Sequence, residues 1–550
     1  MTDKSSRPPA GPSESPPRDA TSGPSPSDPP GPARQEPRPP GAQPRFVISH
    51  LTSVHVTDDA RSASRDRFDQ QFARALAASV RVVSESPASS TGRRVLVVEG
   101  ELSELKAKAA ELSPETVIEP ALPRIPATAR PRDLLAQLAM LGASPPPAPG
   151  AGATIEVTLR CDGEPVAQAQ AVLGLDPIGG GVSTSIGGVS SAAGAVNLSY
   201  DAKQWRPGVL FIEPRGGAWS VALRSPASGI TIDIPRLPRS GPLGWWHLIT
   251  GARPDESAPG RGIKIGIVDT GVGPHPYLEH VHDLGAFIDG ARTGPGTGLD
   301  VQNHGTHVAG IIGARPAADS HDFIGLAHAA ELYAARVFTA TEDANQGDIA
   351  AAVDALAGEA GVDLINLSLA GPASLIEQDA IVAALGLGTL CICAAGNFCG
   401  APVAYPAAYP QSVAVSAVGL FGAWPSPSAA AAWNVPTTPG MFAGDGLFLT
   451  SFSNIGPQLL CAAPGNGIIS TVPSHPGGDP SYADMSGTSM SAPLTCAALA
   501  VLLSRDPVYA TMARDTSRSL HARALLVRHA RSIGLVATYQ GFGLARATGG

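Results

Sequence analysis

A serine, a histidine and an acid brought together can transfer an acyl group: the serine attacks, the histidine carries the proton, and the acid holds the imidazole in one tautomer. Three stretches of this 550-residue chain carry those types where such chemistry needs them. Ile263-Lys264-Ile265-Gly266-Ile267-Val268 reads as a strand and runs into Asp269-Thr270-Gly271. An acid at the end of a buried strand can accept a bond from a histidine, although Asp269 alone would serve equally as a helix cap or a ligand-binding acid. Asn303-His304-Gly305-Thr306-His307-Val308-Ala309-Gly310 opens an apolar helix, and the small residues around His304 leave its ring free to meet other loops. The two histidines also have the spacing of a metal or capping pair, but no third ligand follows. His304, at the helix mouth, is the better catalytic candidate, and His307, one turn further in, the structural one.

The third stretch is Met485-Ser486-Gly487-Thr488-Ser489-Met490-Ser491-Ala492-Pro493, ahead of the apolar run from Leu494 to Leu503. A serine at a Gly-led helix start is exposed, and its own amide N–H points toward a developing anion. Ser489 is the candidate nucleophile; Ser486 and Ser491 are the alternatives within the motif. A fourth element, Ala394-Ala395-Gly396-Asn397, ends another strand, where a side-chain amide can donate to a tetrahedral oxyanion. Its plain alternative is a turn asparagine beside a glycine.

The elements that must hold these residues follow from the pattern around them. From about Leu243, continuous apolar strands (Ile263 to Val268, Leu364 to Leu369, Leu390 to Ala395, Val413 to Val418) alternate with Ala-rich helical stretches. That texture predicts an α/β region, a parallel sheet covered on both faces, with active residues at the carboxyl ends of its strands. Before it, residues 153–235 alternate polar and apolar between Gly, Ser and Pro breaks, which predicts a β-sandwich, with a hairpin in the Gly-rich stretch 179–194. Residues 127–152 hold a brief helix and a Pro-rich linker. Residues 45–126 predict a small α+β domain: strands at Phe46-Val47-Ile48, Arg94 to Val98 and Val117-Ile118-Glu119-Pro120, and helices over Arg67 to Val83 and Leu102 to Leu112. Residues 1–44, rich in Pro, Ser, Gly, Asp and Arg, lack the apolar groups to offset chain entropy and read as a disordered tail.

Asp-Thr-Gly, His-Gly-Thr-His-Val-Ala-Gly, Ala-Ala-Gly-Asn and Gly-Thr-Ser-Met-Ser-Ala-Pro, in that order, resemble the signatures of the subtilisin (subtilase) family over about residues 243–550. The resemblance extends to the closing Tyr539-Gln540-Gly541-Phe542-Gly543-Leu544-Ala545. It implies a seven-stranded parallel sheet flanked by helices and a serine endopeptidase whose triad is Asp269, His304 and Ser489. It also implies an oxyanion hole made by Asn397 and the Ser489 amide. By the same match, a peptide would pair with Ser368, Leu369, Ala370 and Gly371. Its first side chain would sit among Ala394, Ala395, Gly396 and Ala404, a pocket suited to an uncharged residue. The chemistry needs no cofactor; calcium is common in the family, but no carboxylate cluster locates a site. Residues 45–126 resemble the family's inhibitory propeptide, with Glu119-Pro120-Ala121-Leu122-Pro123-Arg124-Ile125-Pro126 as an extended tail for the cleft, and the sandwich resembles carboxypeptidase-regulatory-like modules. Self-processing is expected at 120–130 if the sandwich stays with the enzyme, and at 236–244 if it is discarded. Three features depart from the family: the intervening sandwich, an insertion at 420–448 with Trp424 and Trp433, and Ala370 where glycine is common.

Bulk properties narrow the partners. A net charge of −9 gives no footprint for nucleic acid, and no apolar run reaches the ~20 residues that span a bilayer. The expected partners are a protein or peptide substrate and the chain's own propeptide as inhibitor. Met1-Thr2-Asp3-Lys4 leads into no apolar signal core, so the expectation is a chain made in the cytoplasm, with any export by an unconventional route. Six cysteines are too sparse for a disulfide scaffold, and Cys391, Cys393 and Cys496 read as small core residues. Two rival readings are a non-catalytic peptide-binding scaffold and a hydrolase of small esters or amides. The full set of four motifs argues against the first. The Leu367-Ser368-Leu369-Ala370-Gly371 strand, suited to pairing with an extended peptide, argues against the second.

Overall fold

Alternation along single strands divides the core of the carboxyl-terminal region in two, because successive side chains point to opposite faces of a sheet. Leu390, Ile392 and Ala394 lie in one apolar core with helices His304–Gly313 and Thr488–Ser504. Cys391, Cys393 and Ala395 lie in the other with helices Gln346–Asp354 and Leu375–Gly386. Burial on both faces is why these strands read as unbroken apolar runs. The structure is a computed structural model that describes residues 43–548, apart from 56, 76–79, 87–88, 102, 106–114, 129–151, 181–182, 239–240, 242, 254–255, 318–319 and 475–480.

The central sheet has nine strands. Two are short and antiparallel, Ala291–Arg292 and Leu447–Leu449. The rest are parallel, in the spatial order His282–Ile288, Glu331–Arg336, Lys264–Asp269, Leu364–Leu367, Leu390–Ala394, Val413–Leu420, Leu459–Pro464. The fold is therefore α/β, with Asp269 and the Ala394–Asn397 turn at carboxyl ends of strands.

Ahead of it, strands Arg81–Glu85, Val95–Glu99, Arg45–His50 and Thr116–Pro120 form one antiparallel sheet in that spatial order. The helix expected over Arg67 to Val83 is shifted toward the amino terminus. It runs Asp58–Ala75, and Arg81 opens a strand instead. Val82 pairs with Val98, so a valine run whose spacing suits either period is decided by its partner strand. Of the second expected helix, residues 103–105 are helical and 106–112 lie outside the described residues, as do 1–42 of the tail and 129–151 of the linker.

Residues 153–233 form two four-stranded sheets around a shared apolar core that includes Val157, Leu159, Leu173, Leu198, Leu210 and Ile212. Within the Gly-rich stretch, Thr184–Val189 pairs antiparallel with Gln170–Pro177. The 420–448 segment packs on this sandwich. Ala429 N donates to Ser220 O at 2.7 Å, Phe211 meets the Trp433 ring edge-on at 5.3 Å, and Arg224 stacks over that ring at 4.5 Å. Trp219 and Leu237 enter the same core as Ile468, Val472 and Met485. Among the described residues, no helix is long and apolar enough to cross a membrane.

Candidate active site

Asp269 ends its strand, and His304 begins its helix, so the two residues meet where loops gather. His304 Nδ1 lies 2.6 Å from Asp269 Oδ1, and both side chains are buried. The approach depends on Gly305, where an added Cβ would fall 2.1 Å from Gly271 O and 3.1 Å from Asp269 Cβ. A half-buried acid absent from the sequence reading, Asp300, braces both strand end and helix start. One oxygen accepts from Thr270 Oγ1 and from the N–H groups of Gln302 and Asn303, and the other from Thr306 N and Oγ1. Burial raises its pKa, and those donors oppose the shift. Thr270 Oγ1 in turn accepts from Gly305 N at 2.8 Å. No capping rule singles out Asp300, because the cap position of this helix is Asn303, three residues further on.

Ser489 sits in the first turn of Thr488–Ser504, after Gly487. Its hydroxyl donates to Ser368 O at 3.0 Å, and His304 Nε2 is buried without a hydrogen-bond partner. The other serines of the motif are engaged elsewhere: Ser486 Oγ with Asn466 Oδ1 and Gly467 N, Ser491 Oγ with Ala463 O. His307 Nε2 faces the carbonyls of Ile468 and Ala483 at 3.0 and 3.2 Å, a position that ties the helix to a neighbouring strand pair.

Asn397 is oriented by Thr488, whose N–H and hydroxyl both donate to Asn397 Oδ1, at 2.9 and 3.0 Å. That fixes the amide so that Nδ2, buried and without a partner, is the free donor. Asn454, also absent from the sequence reading, holds the following loop through Phe398 N and Pro402 O. Gly396 has φ +104°, and a Cβ there would meet Asn454 Nδ2 at 2.5 Å. Ala404 N donates to Ala395 O at 2.9 Å, which puts Ala404 beside Ala395 and Gly396.

The cleft is filled by the chain itself. Pro123–Pro126 forms the middle strand of a three-stranded antiparallel sheet, between Ala344–Asn345 and Leu369–Ala370. Arg124 pairs with Ala344, Ile125 with Ala370 and Pro126 with Leu369. Ala127 N donates to Ser368 O at 3.0 Å, and Ala127 O accepts from Ser489 N at 3.0 Å. One carbonyl thus lies on the amide of the candidate nucleophile, and the bond that follows it is Ala127–Thr128. Ala370 serves this pairing through its backbone, which explains why alanine is tolerated where glycine is common.

Cys391, Cys393, Cys461 and Cys496 are buried free thiols, and burial pushes Cys391 and Cys461 up to about 12. Among the described residues, no three His, Cys, Asp or Glu side chains gather to hold a metal ion.

A parallel α/β sheet with an Asp–His pair, a Gly-led serine and an oriented Asn at its carboxyl edge defines a class. The sequence profile of the subtilase family matches residues 260–543, and the chain belongs to that family. It is 31% identical over 275 residues to Subtilisin Savinase of Lederbergia lenta, covering 50% of this chain and 88% of that protein. It is 30% identical to the alkaline protease of Shouchella clausii over 281 residues, 51% of this chain and 64% of that protease. Among solved structures it resembles fervidolysin from Fervidobacterium pennivorans, a keratinolytic enzyme related to subtilisin. That likeness has a TM-score of 0.53 at 18% identity, over 93% of this chain and 61% of that one.

Proposed function

We propose that this chain is a serine endopeptidase acting through an acyl-enzyme on Ser489, made as a precursor that holds its own processing bond, Ala127–Thr128, in the cleft. The observation that carries the reading is the hydrogen bond from Ser489 N to Ala127 O, with Pro123–Pro126 paired on both sides as a substrate would be.

In this mechanism the Ser489 hydroxyl swings from Ser368 O to His304 Nε2. Oγ bonds to the Ala127 carbonyl carbon as its proton passes to Nε2, and Asp269 stabilises the resulting imidazolium. The carbonyl oxygen takes the negative charge and accepts from Ser489 N–H and Asn397 Nδ2, donors fixed before the reaction begins. As the tetrahedral species collapses, the C–N bond breaks and the proton on Nε2 goes to the Thr128 nitrogen. Water, activated by His304, then hydrolyses the ester and frees the Ala127 carboxylate. A single carbonyl held on the Ser489 amide favours this cut over one at 236–244. So does the sandwich, whose Trp219 and Leu237 share the catalytic region's core.

Purify wild type and Ser489→Ala side by side and sequence the new amino termini. Wild type is expected to yield a chain beginning at Thr128, and Ser489→Ala to stay uncut and lose turnover by about 10⁶-fold, a magnitude established on subtilisin. Asn397→Ala should lose about 100- to 1,000-fold, again as in subtilisin. An uncut, fully active wild type would overturn the precursor reading and leave the peptidase reading standing.

A further inference from the structure

Resting on that reading, the geometry points to a specificity-determining residue: we infer that Glu377 selects substrates with arginine at the fourth position before the cleaved bond. Counting back from Ala127, that position is Arg124. Its side chain is buried, and its guanidinium grips Glu377 with two parallel bonds, Nε to Oε1 at 3.2 Å and Nη2 to Oε2 at 2.9 Å. Both side chains have no exposed surface. Such a fork matches the planar guanidinium and not the compact ammonium of lysine.

The surroundings fit an arginine. Gly371, on the cleft wall, has no side chain to spare: an added Cβ would lie 2.7 Å from Arg124 Cδ and 2.9 Å from Nη1. Glu377 is held in the first turn of helix Leu375–Gly386, its N–H bonded to Ser374 Oγ at 3.2 Å. Its helix packs into an apolar core through Ile376, Ala380, Ile381 and Ala384. The carboxylate is therefore built into a rigid, apolar wall. When the segment ending at Ala127 is cut and leaves, Arg124 leaves with it, and Glu377 faces the open cleft without its cation until another peptide covers it. The next peptide that restores the pair binds best, because a buried charge missing its partner penalises every competitor. The preferred substrate is thus an extended segment with arginine, two further residues, then a small uncharged residue before the cut.

The test uses processed full-length enzyme and four fluorogenic peptides, Xaa-Ile-Pro-Ala-reporter, with Xaa arginine, lysine, citrulline or norleucine. Citrulline keeps the shape of arginine and removes its charge. The kcat/KM for arginine should exceed that for citrulline and norleucine by on the order of 100-fold, with lysine between. In Glu377→Gln the arginine-to-citrulline ratio should fall to near one. If that variant fails to fold around a buried unpaired Arg124, the double variant Arg124→Met with Glu377→Gln removes both charges and gives the same ratio. Equal wild-type rates for arginine and norleucine, or an arginine preference that survives Glu377→Gln, would overturn the inference. Cleavage of the norleucine peptide and fluorophosphonate labelling of Ser489 would show in the same experiment that the peptidase reading still holds. If no peptide is cut and Ser489 is unlabelled, both fall together.

Discussion

The two regions ahead of the catalytic sheet hold on to it by different balances of charge and apolar contact. Residues 45–127 bury Val47 and Val95 in a catalytic-region core and add buried charge. Arg93, fully buried, places Nε 2.9 Å from Asp354 and Nη1 2.6 Å from Asp379, both on catalytic-region helices. Thr91 and Ser89 hydroxyls also donate to Asp354, and Thr52 N donates to Asp379. Glu119 caps helix Leu375–Gly386 by accepting from Leu375 N and Ser374 Oγ at 2.7 and 2.6 Å. The sandwich instead grips through Trp219, Leu237, and the Phe211–Trp433–Arg224 stack. Buried ion pairs offset their desolvation only while both partners are present, and they respond to pH; apolar burial is indifferent to both. A charged joint suits a contact that is to be given up, and an apolar one suits a contact that is kept.

Breaking the apolar joint should cost the processed enzyme most. Trp219→Ala leaves a cavity in the shared core and should destabilise by about 3–5 kcal/mol. Thermal unfolding followed by tryptophan fluorescence and by activity should shift together. A variant whose activity melts at the wild-type temperature would mean that the sandwich is an independent passenger.

Arg93→Ala leaves Asp354 and Asp379 buried without their cation. It should weaken binding of the cleaved 1–127 fragment by about 3 kcal/mol, over 100-fold in Kd. Inhibition of processed enzyme by added fragment reads this directly. Unchanged inhibition would remove the charged grip from the comparison.

A smaller effect should follow pH. His50 is buried against Phe68, neither ring nitrogen has a hydrogen-bond partner, and burial with Arg93 nearby lowers its pKa from 6.5 to about 4, against the pull of Asp379 and Glu115. Arg93, Asp379, Glu115 and His55 are the charged groups around it. Between pH 6.5 and 4 a released fragment that unfolds and exposes His50 takes up a proton that the docked one does not, so docking weakens as pH falls. From pH 7.5 to 5 the loss should be at most about 2 kcal/mol, and His50→Leu should abolish it. Asp484, at the sandwich joint, is raised to about 6 by burial and titrates with the opposite sign, since protonation relieves a buried charge. Fragment affinity that rises on acidification would contradict the assignment.

The smallest changes concern the motif's other serines. Ser486→Ala and Ser491→Ala each lose hydrogen bonds worth about 1 kcal/mol and should keep measurable turnover. An inactive Ser491→Ala with an active Ser489→Ala would reverse the choice of nucleophile.

The residues brought together at the cleft were legible because each lies in a short motif whose local form is self-determined. Asp269 follows a run of Ile and Val that can only be a buried strand, and small residues must surround His304 where Gly305 approaches Gly271. The Arg81 strand was misread because Val80, Val82 and Val83 suit either period until Val98 is opposite. Asp300 was missed because its bonds go to Thr270, 30 positions away, and to backbone and Thr306 groups that form no motif.

What the sequence determined by itself was local: strand ends, helix starts, and the order Asp, His, Asn, Ser. What only the tertiary structure decided is the register of the segment that fills the cleft and which groups it meets there. Arg124 and Glu377 are 253 positions apart, Arg93 and Asp354 261, and Ser220 and Asp484 264. No periodicity or capping rule reaches across such distances. Those pairs exist because the sheet order brings the edges of three regions together, and a charge or indole buried there is stable only once its partner has arrived.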